Sequence, residues 1–191
     1  MLIGHDVAVG LTGVAALVNS RRSGIELLDT PSALKAFLVG HQISHPGGCT
    51  EEDLSETHQL RERLRQVWNC SFESQVADVV NAVLEQAEAL PQLIRHDDWG
   101  WHLHVARPGA QPARRLAAEL AMALAELIRH GELDRLRRCT ALGCDAVLVD
   151  LSRNRSRLYC DTGNCGNRQH VAAYRKRRGD RTVGRGTARL H

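Results

Sequence analysis

Four of the six cysteines fall into two matched pairs, Cys139 with Cys144 and Cys160 with Cys165, with four residues inside each pair and fifteen between them. This spacing brings four sulfurs onto two short turns, the arrangement that a tetrahedral Zn²⁺ takes from a ribbon. Gly143 and Gly163 stand where such turns call for glycine. The alternative, two disulfides, needs an oxidising compartment. The opening Met1 to Asp6 has no basic start followed by an apolar signal core, so the expectation is a reduced, cytoplasmic protein. Four protein ligands leave no position for an activated water. One structural Zn²⁺ on Cys139, Cys144, Cys160 and Cys165 is therefore expected, and a zinc hydrolase is not.

Charge gives the cysteine module a context. From Ser152 to His191 there are eleven basic residues against Asp161 and Asp180, a segment charge of +9. The whole chain is +3, so residues 1–151 carry −6. A basic end on an acidic body points to a polyanion, nucleic acid first of all. Only Lys35 and Lys176 are lysines. Arginine forks suit phosphate, but a composition bias acting on the whole chain gives the same result, so clustering is the better signal. Two clusters stand out: Arg153, Arg155 and Arg157 between the cysteine pairs, and Arg168, Arg175, Lys176, Arg177 and Arg178 after them. A helix from near Asn167 puts Arg168, Arg175 and Lys176 within an arc of roughly 100° and leaves Val171 and Tyr174 three apart, on a face able to pack against the ribbon. Arg168 has a second reading, bracing the ribbon beside the metal. With few aromatics in the module besides Tyr159 and Tyr174, duplex DNA is favoured over single strands.

The body reads as mainly helical. Residues 1–11 give little signal beyond an apolar, glycine-containing start; Leu11, Ala15 and Val18 then keep helical spacing up to Asn19, where Ser20 to Gly24 ends the helix. Thr30 before Pro31 caps a second helix ending at Gly40. Thr50 and Asp53 resemble a capping box and open a third helix, and Val76 to Leu90 makes a fourth that Pro91 stops. Residues 92–106 predict a β-hairpin around Asp97-Asp98, with Trp99, Trp101, Leu103 and Val105 on one face and His102 and His104 on the other. The tryptophans are expected in the core and the histidines in solvent, although Trp99 and Trp101 are also the natural lining of a small-molecule site. Leu116 to Ile128 forms the last long helix. Cys49 and Cys70 read as small apolar fillers. No stretch approaches about 18 consecutive apolar residues, so no membrane span is expected. No nucleophile triad, metal-binding histidine motif or phosphate loop is present, and the chain is not expected to be an enzyme.

Residues 139–168 resemble the CGNR zinc-finger family through Cys165-Gly166-Asn167-Arg168 and through Asp150-Leu151-Ser152-Arg153-Asn154, similar to the family's D-x-S-[RK]-N segment. Tyr159 departs from the tryptophan common there. Residues 15–39, with Asn19-Ser20 closing the first helix, resemble the opening of the ABATE domain, the usual N-terminal partner, whose members are described as stress-induced transcription regulators. The expected fold is α+β: a helical, ABATE-like domain over 1–134 with its hairpin near 92–106, a treble-clef or ribbon-like four-cysteine zinc module over 135–178 ending in a basic helix, and a basic tail over 179–191 that is disordered in isolation. No Pro/Ser-rich spacer separates the first two, so the module is expected to lean on the body.

The resemblance and the charge together predict a DNA-binding transcription regulator whose N-terminal domain senses a small-molecule or protein effector or forms a homodimer. The rivals are a zinc-dependent protein-interaction module on an acidic partner and a redox or metal sensor that releases zinc on oxidation.

Overall fold

The structure, a computed structural model, describes residues 4–43, 47–95 and 101–183. It is built from six α-helices and three two-stranded antiparallel sheets among the described residues. The N-terminal helix α1, His5–Asn19, starts well before the first residue that helical spacing marks. Its glycines hide it in the sequence, yet they are what the packing requires. A Cβ on Gly10 would lie 2.6 Å from Ala123 Cβ, and one on Gly13 would lie 2.9 Å from Leu120 Cδ2. Absence of side chains lets α1 lie directly on α5, Pro112–Arg129.

After α1 the sequence reading expects only a helix stop, whereas the chain forms a tight hairpin, β1 Arg21–Arg22 with β2 Ile25–Glu26. Ser23 and Gly24 both have positive φ, 50° and 79°, the two-residue turn that matches strand twist. Helix α2, Pro31–Gly40, is capped by Thr30, whose Oγ1 accepts from Ala33 N–H at 3.2 Å. Helix α3, Glu51–Gln66, opens on a true capping box: Asp53 N–H donates to Thr50 Oγ1 at 3.1 Å and Thr50 N–H to Asp53 Oδ2 at 2.9 Å. The other Asp53 oxygen accepts from Ala113 N–H at 3.3 Å, so one carboxylate caps both α3 and α5. Helix α4, Glu73–Gln86, completes the bundle against α5.

Leu11, Leu17, Leu34, Leu64, Leu116 and Leu124 are fully buried and form the centre of the core. The hairpin of β3, Gln92–Ile94, and β4, His102–His104, stands beside this bundle. Trp99 lies outside the described residues. Trp101 is not in the core: it is 69% exposed, as Leu93 and Leu103 also are in large part, and only Val105 of the expected apolar face is buried. His104 is half-buried rather than solvated.

Past α5 the chain turns at Gly131, φ 62°, into β5, Leu136–Arg138, which pairs with β6, Val147–Val149. All three β6 residues are buried. Val147 and Val149 enter the core of the body, while Leu148 faces the cysteines. The cysteine module thus leans on the body, as the missing spacer predicts. Helix α6, Cys165–Val183, closes the described chain. It starts two residues earlier than expected and runs through Gly179, where the tail was expected to begin. Residues 184–191 lie outside the described residues.

Candidate metal centre and its basic surround

Cys139 follows β5 and Cys144 closes the turn Ala141–Cys144, with Gly143 at φ 71°; Cys160 precedes a second turn and Cys165 opens α6. The four sulfurs all lie within 4.8 Å of one another. Cys144 Sγ and Cys165 Sγ are each 3.7 Å from Cys160 Sγ. A tetrahedron with Zn–S bonds near 2.3 Å has S···S edges of about 3.8 Å. The separation is far too long for a disulfide, and all the cysteines are free thiols. The donor set, its spacing and its burial therefore fit one Zn²⁺ with four thiolate ligands.

Neighbouring groups tune the thiols. Arg168 Nη2 donates to Cys165 Sγ at 3.0 Å, and this hydrogen bond holds the Cys165 thiol down to about 7, within reach of the thiolate form that a metal requires. Burial pushes Cys160 up to about 12 and Cys144 upward as well. Cys160 N–H points at Cys139 Sγ across 3.4 Å. Bound Zn²⁺ would supply the positive charge that these buried sulfurs lack.

Asp150 organises the loop between the pairs. Fully buried, its carboxylate accepts from Ser152 N–H at 3.0 Å, from Ser152 Oγ–H, and from Arg157 N–H at 2.8 Å, with Arg137 Nη1 3.4 Å away. Burial alone would push this carboxyl up, but the Ser152 and Arg157 hydrogen bonds and the Arg137 charge outweigh it and leave it below the usual carboxylate range. Buried Arg135 braces the same loop, donating to Glu132 Oε2 at 2.5 Å, to the Asp150 carbonyl at 2.8 Å and to the Ser152 carbonyl at 3.1 Å.

The body is locked to the module by Asn19. Its Nδ2 donates to the Val147 carbonyl at 2.8 Å and its Oδ1 accepts Val147 N–H at 2.9 Å, so the side-chain amide serves β6 as a neighbouring strand would. Arg138 reaches the Asn69 side chain, and a Cβ on Gly163 would lie 3.1 Å from Arg22 Nη1. Asn19 and Arg135 carried no functional reading from composition or spacing; only the Asn-Ser close of the first helix, part of the resemblance, signals the former.

The structure divides the basic residues by what they touch. Arg155 is paired at 2.7 Å with both Glu132 and Asp134, and Arg157 pairs with Asp161 and donates to the Tyr159 carbonyl at 3.2 Å. Arg168 braces Cys165, the second of its two readings. Arg153, Arg175 and Arg177 are exposed and make no ion pair among the described residues. The side chains of Lys176 and Arg178 lie outside the described ones. Val171 and Tyr174 do not pack against the ribbon: they are 40% and 57% exposed. Every described side chain from His170 to Arg175 is exposed, because α6 leaves the module after its first turn and meets no second layer among the described residues.

Residues 14–131 match the model of the ABATE family, described as "Putative stress-induced transcription regulator". Residues 135–178 match the model of the CGNR zinc finger. No curated protein shows significant similarity to the chain. No helix among the described residues is long and apolar enough to cross a membrane.

Proposed function

For a chain that belongs to the ABATE family and ends in a CGNR zinc finger, we propose that it is a transcription regulator whose zinc module binds duplex DNA through α6 and the Arg153 turn. The observation that carries this reading is the free cationic edge of the module. In a segment of net charge +9, Arg153, Arg175 and Arg177 stand in solvent with no carboxylate partner among the described residues. A helix whose described side chains from His170 to Arg175 are all exposed suits a groove or a phosphate track. Arg155, Arg157 and Arg168 serve in this reading chiefly to hold the loop and the sulfurs in place, and add field rather than contacts. The body acts as the sensing or dimerising part of a cytoplasmic stress response, not as an enzyme.

The test is duplex binding by the zinc-loaded protein as a function of salt. Affinity should fall steeply, with a slope of about 0.9 per phosphate neutralised on logarithmic axes. Arg175→Glu with Arg177→Glu should weaken binding to all sequences alike and flatten the slope. No binding at low ionic strength ends the proposal.

The exposed Val171 and Tyr174 favour a second reading, docking of α6 on an acidic protein partner. It predicts salt-sensitive capture of that protein with no affinity for DNA, and loss of capture on Tyr174→Ala.

A further inference from the structure

Arg22 of β1 is a half-buried cation with no carboxylate partner among the described residues, although it belongs to the acidic part of the chain. What it faces is the cysteine module. A Cβ on Gly163 would lie 3.1 Å from Arg22 Nη1, 3.0 Å from Cys165 Sγ and 3.5 Å from Arg168 Nη2. Only the absence of a side chain at Gly163 leaves that space open. Atoms 3.1 and 3.0 Å from one position are no more than about 6 Å apart, so the Arg22 guanidinium stands within effective electrostatic reach of a ligating sulfur.

The arm that carries Arg22 is held from outside itself. Each strand of β1–β2 is two residues long, too short for a hairpin that stands alone in water. Helix α3 supplies the support. Arg61, only 1% exposed, donates from Nη1 to Ser20 Oγ at 3.0 Å and to Glu26 Oε1 at 2.7 Å. The same Glu26 oxygen accepts Leu28 N–H at 3.0 Å. One turn further along α3, Arg65 Nη2 donates to the carbonyls of Val18 at 2.6 Å and Arg21 at 3.2 Å. Burying a guanidinium costs stability unless it is well bonded. The two shortest bonds of Arg61 end on the hairpin and its root, so that burial fixes where Arg22 is carried.

Four thiolates around one Zn²⁺ leave two negative charges unbalanced. Arg168 meets one of them through its bond to Cys165. We propose that Arg22 meets the other: it is a positioning residue of the zinc centre contributed by the body, and its charge stabilises the four-thiolate form. Retention of the metal then depends on where α3 holds the β1–β2 hairpin, and a displacement of the hairpin would loosen the metal without touching a cysteine. The inference rests on the zinc reading of the four cysteines and is independent of the DNA reading.

The test is the zinc affinity of the full chain, measured at fixed pH by competition with a chromophoric chelator and without nucleic acid. Arg22→Gln should weaken zinc binding by about tenfold, the lower end of what the loss of an outer partner of a metal ligand costs. Arg22→Lys restores the charge and should recover most of that loss. Arg21→Gln, at the exposed neighbour in the same strand, should stay within about threefold of the parent chain. The gap between the parent and Arg22→Gln should narrow as salt rises, because a half-exposed charge is screened. A role in packing alone predicts the reverse, a loss that lysine does not restore and salt does not change. The absorption of the Co²⁺-saturated chains should be the same in parent and variant, which shows that all four sulfurs still ligate. Unchanged zinc affinity in Arg22→Gln overturns the proposal. So does a loss that Arg22→Lys leaves in place, or one accompanied by an altered Co²⁺ spectrum.

Discussion

The hairpins β3–β4 and β5–β6 are built alike, each from two antiparallel three-residue strands, and they meet opposite fates. In β6 the two valines enter the body and Leu148 packs against the cysteines, so both faces are buried. In β3–β4 the apolar partners Leu93 and Leu103 look out over a hollow. Strand propensity is similar in the two. What differs is what stands behind each strand: the cluster of four cysteines on one side and, among the described residues, no buried layer over Leu93 and Leu103 on the other. A short strand is buried by its surroundings rather than by its own composition.

That contrast can be broken from the strong end first. Chelating zinc, or Cys160→Ser, should collapse the β5–β6 hairpin and lower the melting temperature of the whole chain, because the body loses Val147 and Val149 with it; β3–β4 variants should have no comparable effect. Next in size, Asp150→Ala should cost about 3 kcal/mol in denaturant unfolding, since it leaves several loop donors without their acceptor. The same carboxyl gives a pH signature. Its folded pKa lies below the ordinary value of about 3.9, so its contribution is complete above about pH 4 and is lost as the pH falls further. Acid titration of the Asp150→Ala variant should therefore show a shallower loss of stability below pH 4 than the parent chain. Asn19→Ala should cost about 2 kcal/mol and raise amide exchange at Val147, as the β6 edge loses its surrogate strand. Smallest of all, Leu93→Ser should shift stability by no more than about 0.5 kcal/mol, the ordinary range for an exposed position.

The sequence announces its local geometry well and its long-range geometry poorly. Cysteine spacing places four sulfurs around one metal, and Thr30, Thr50 and Asp53 cap the helices as their residue types suggest, because those interactions span a few residues. The start of α1 gives little signal, because the purpose of Gly10 and Gly13 is set by Ala123 and Leu120 more than a hundred positions away. Ser23-Gly24 did carry a local turn signal that a helix-stop reading absorbed. The expected burial of Trp101, Val171 and Tyr174 failed for a common reason: apolar spacing tells which residues share a face, and only the tertiary fold decides whether anything covers it. Among the arginines, the free and the engaged look identical in sequence; Glu132, Asp134 and Asp161 make the distinction.

The order in which the chain is made gives the Asn19–Val147 contact a further meaning. The two residues are 128 positions apart, and the body cannot finish its core until β6 has arrived. During synthesis the helices of the body must wait with an open apolar face for the last third of the polypeptide, exposed to the aggregation hazards of any late-closing contact. The cysteine pairs flank β6, so the strand that closes the core of the body is held by the last part of the chain to be made.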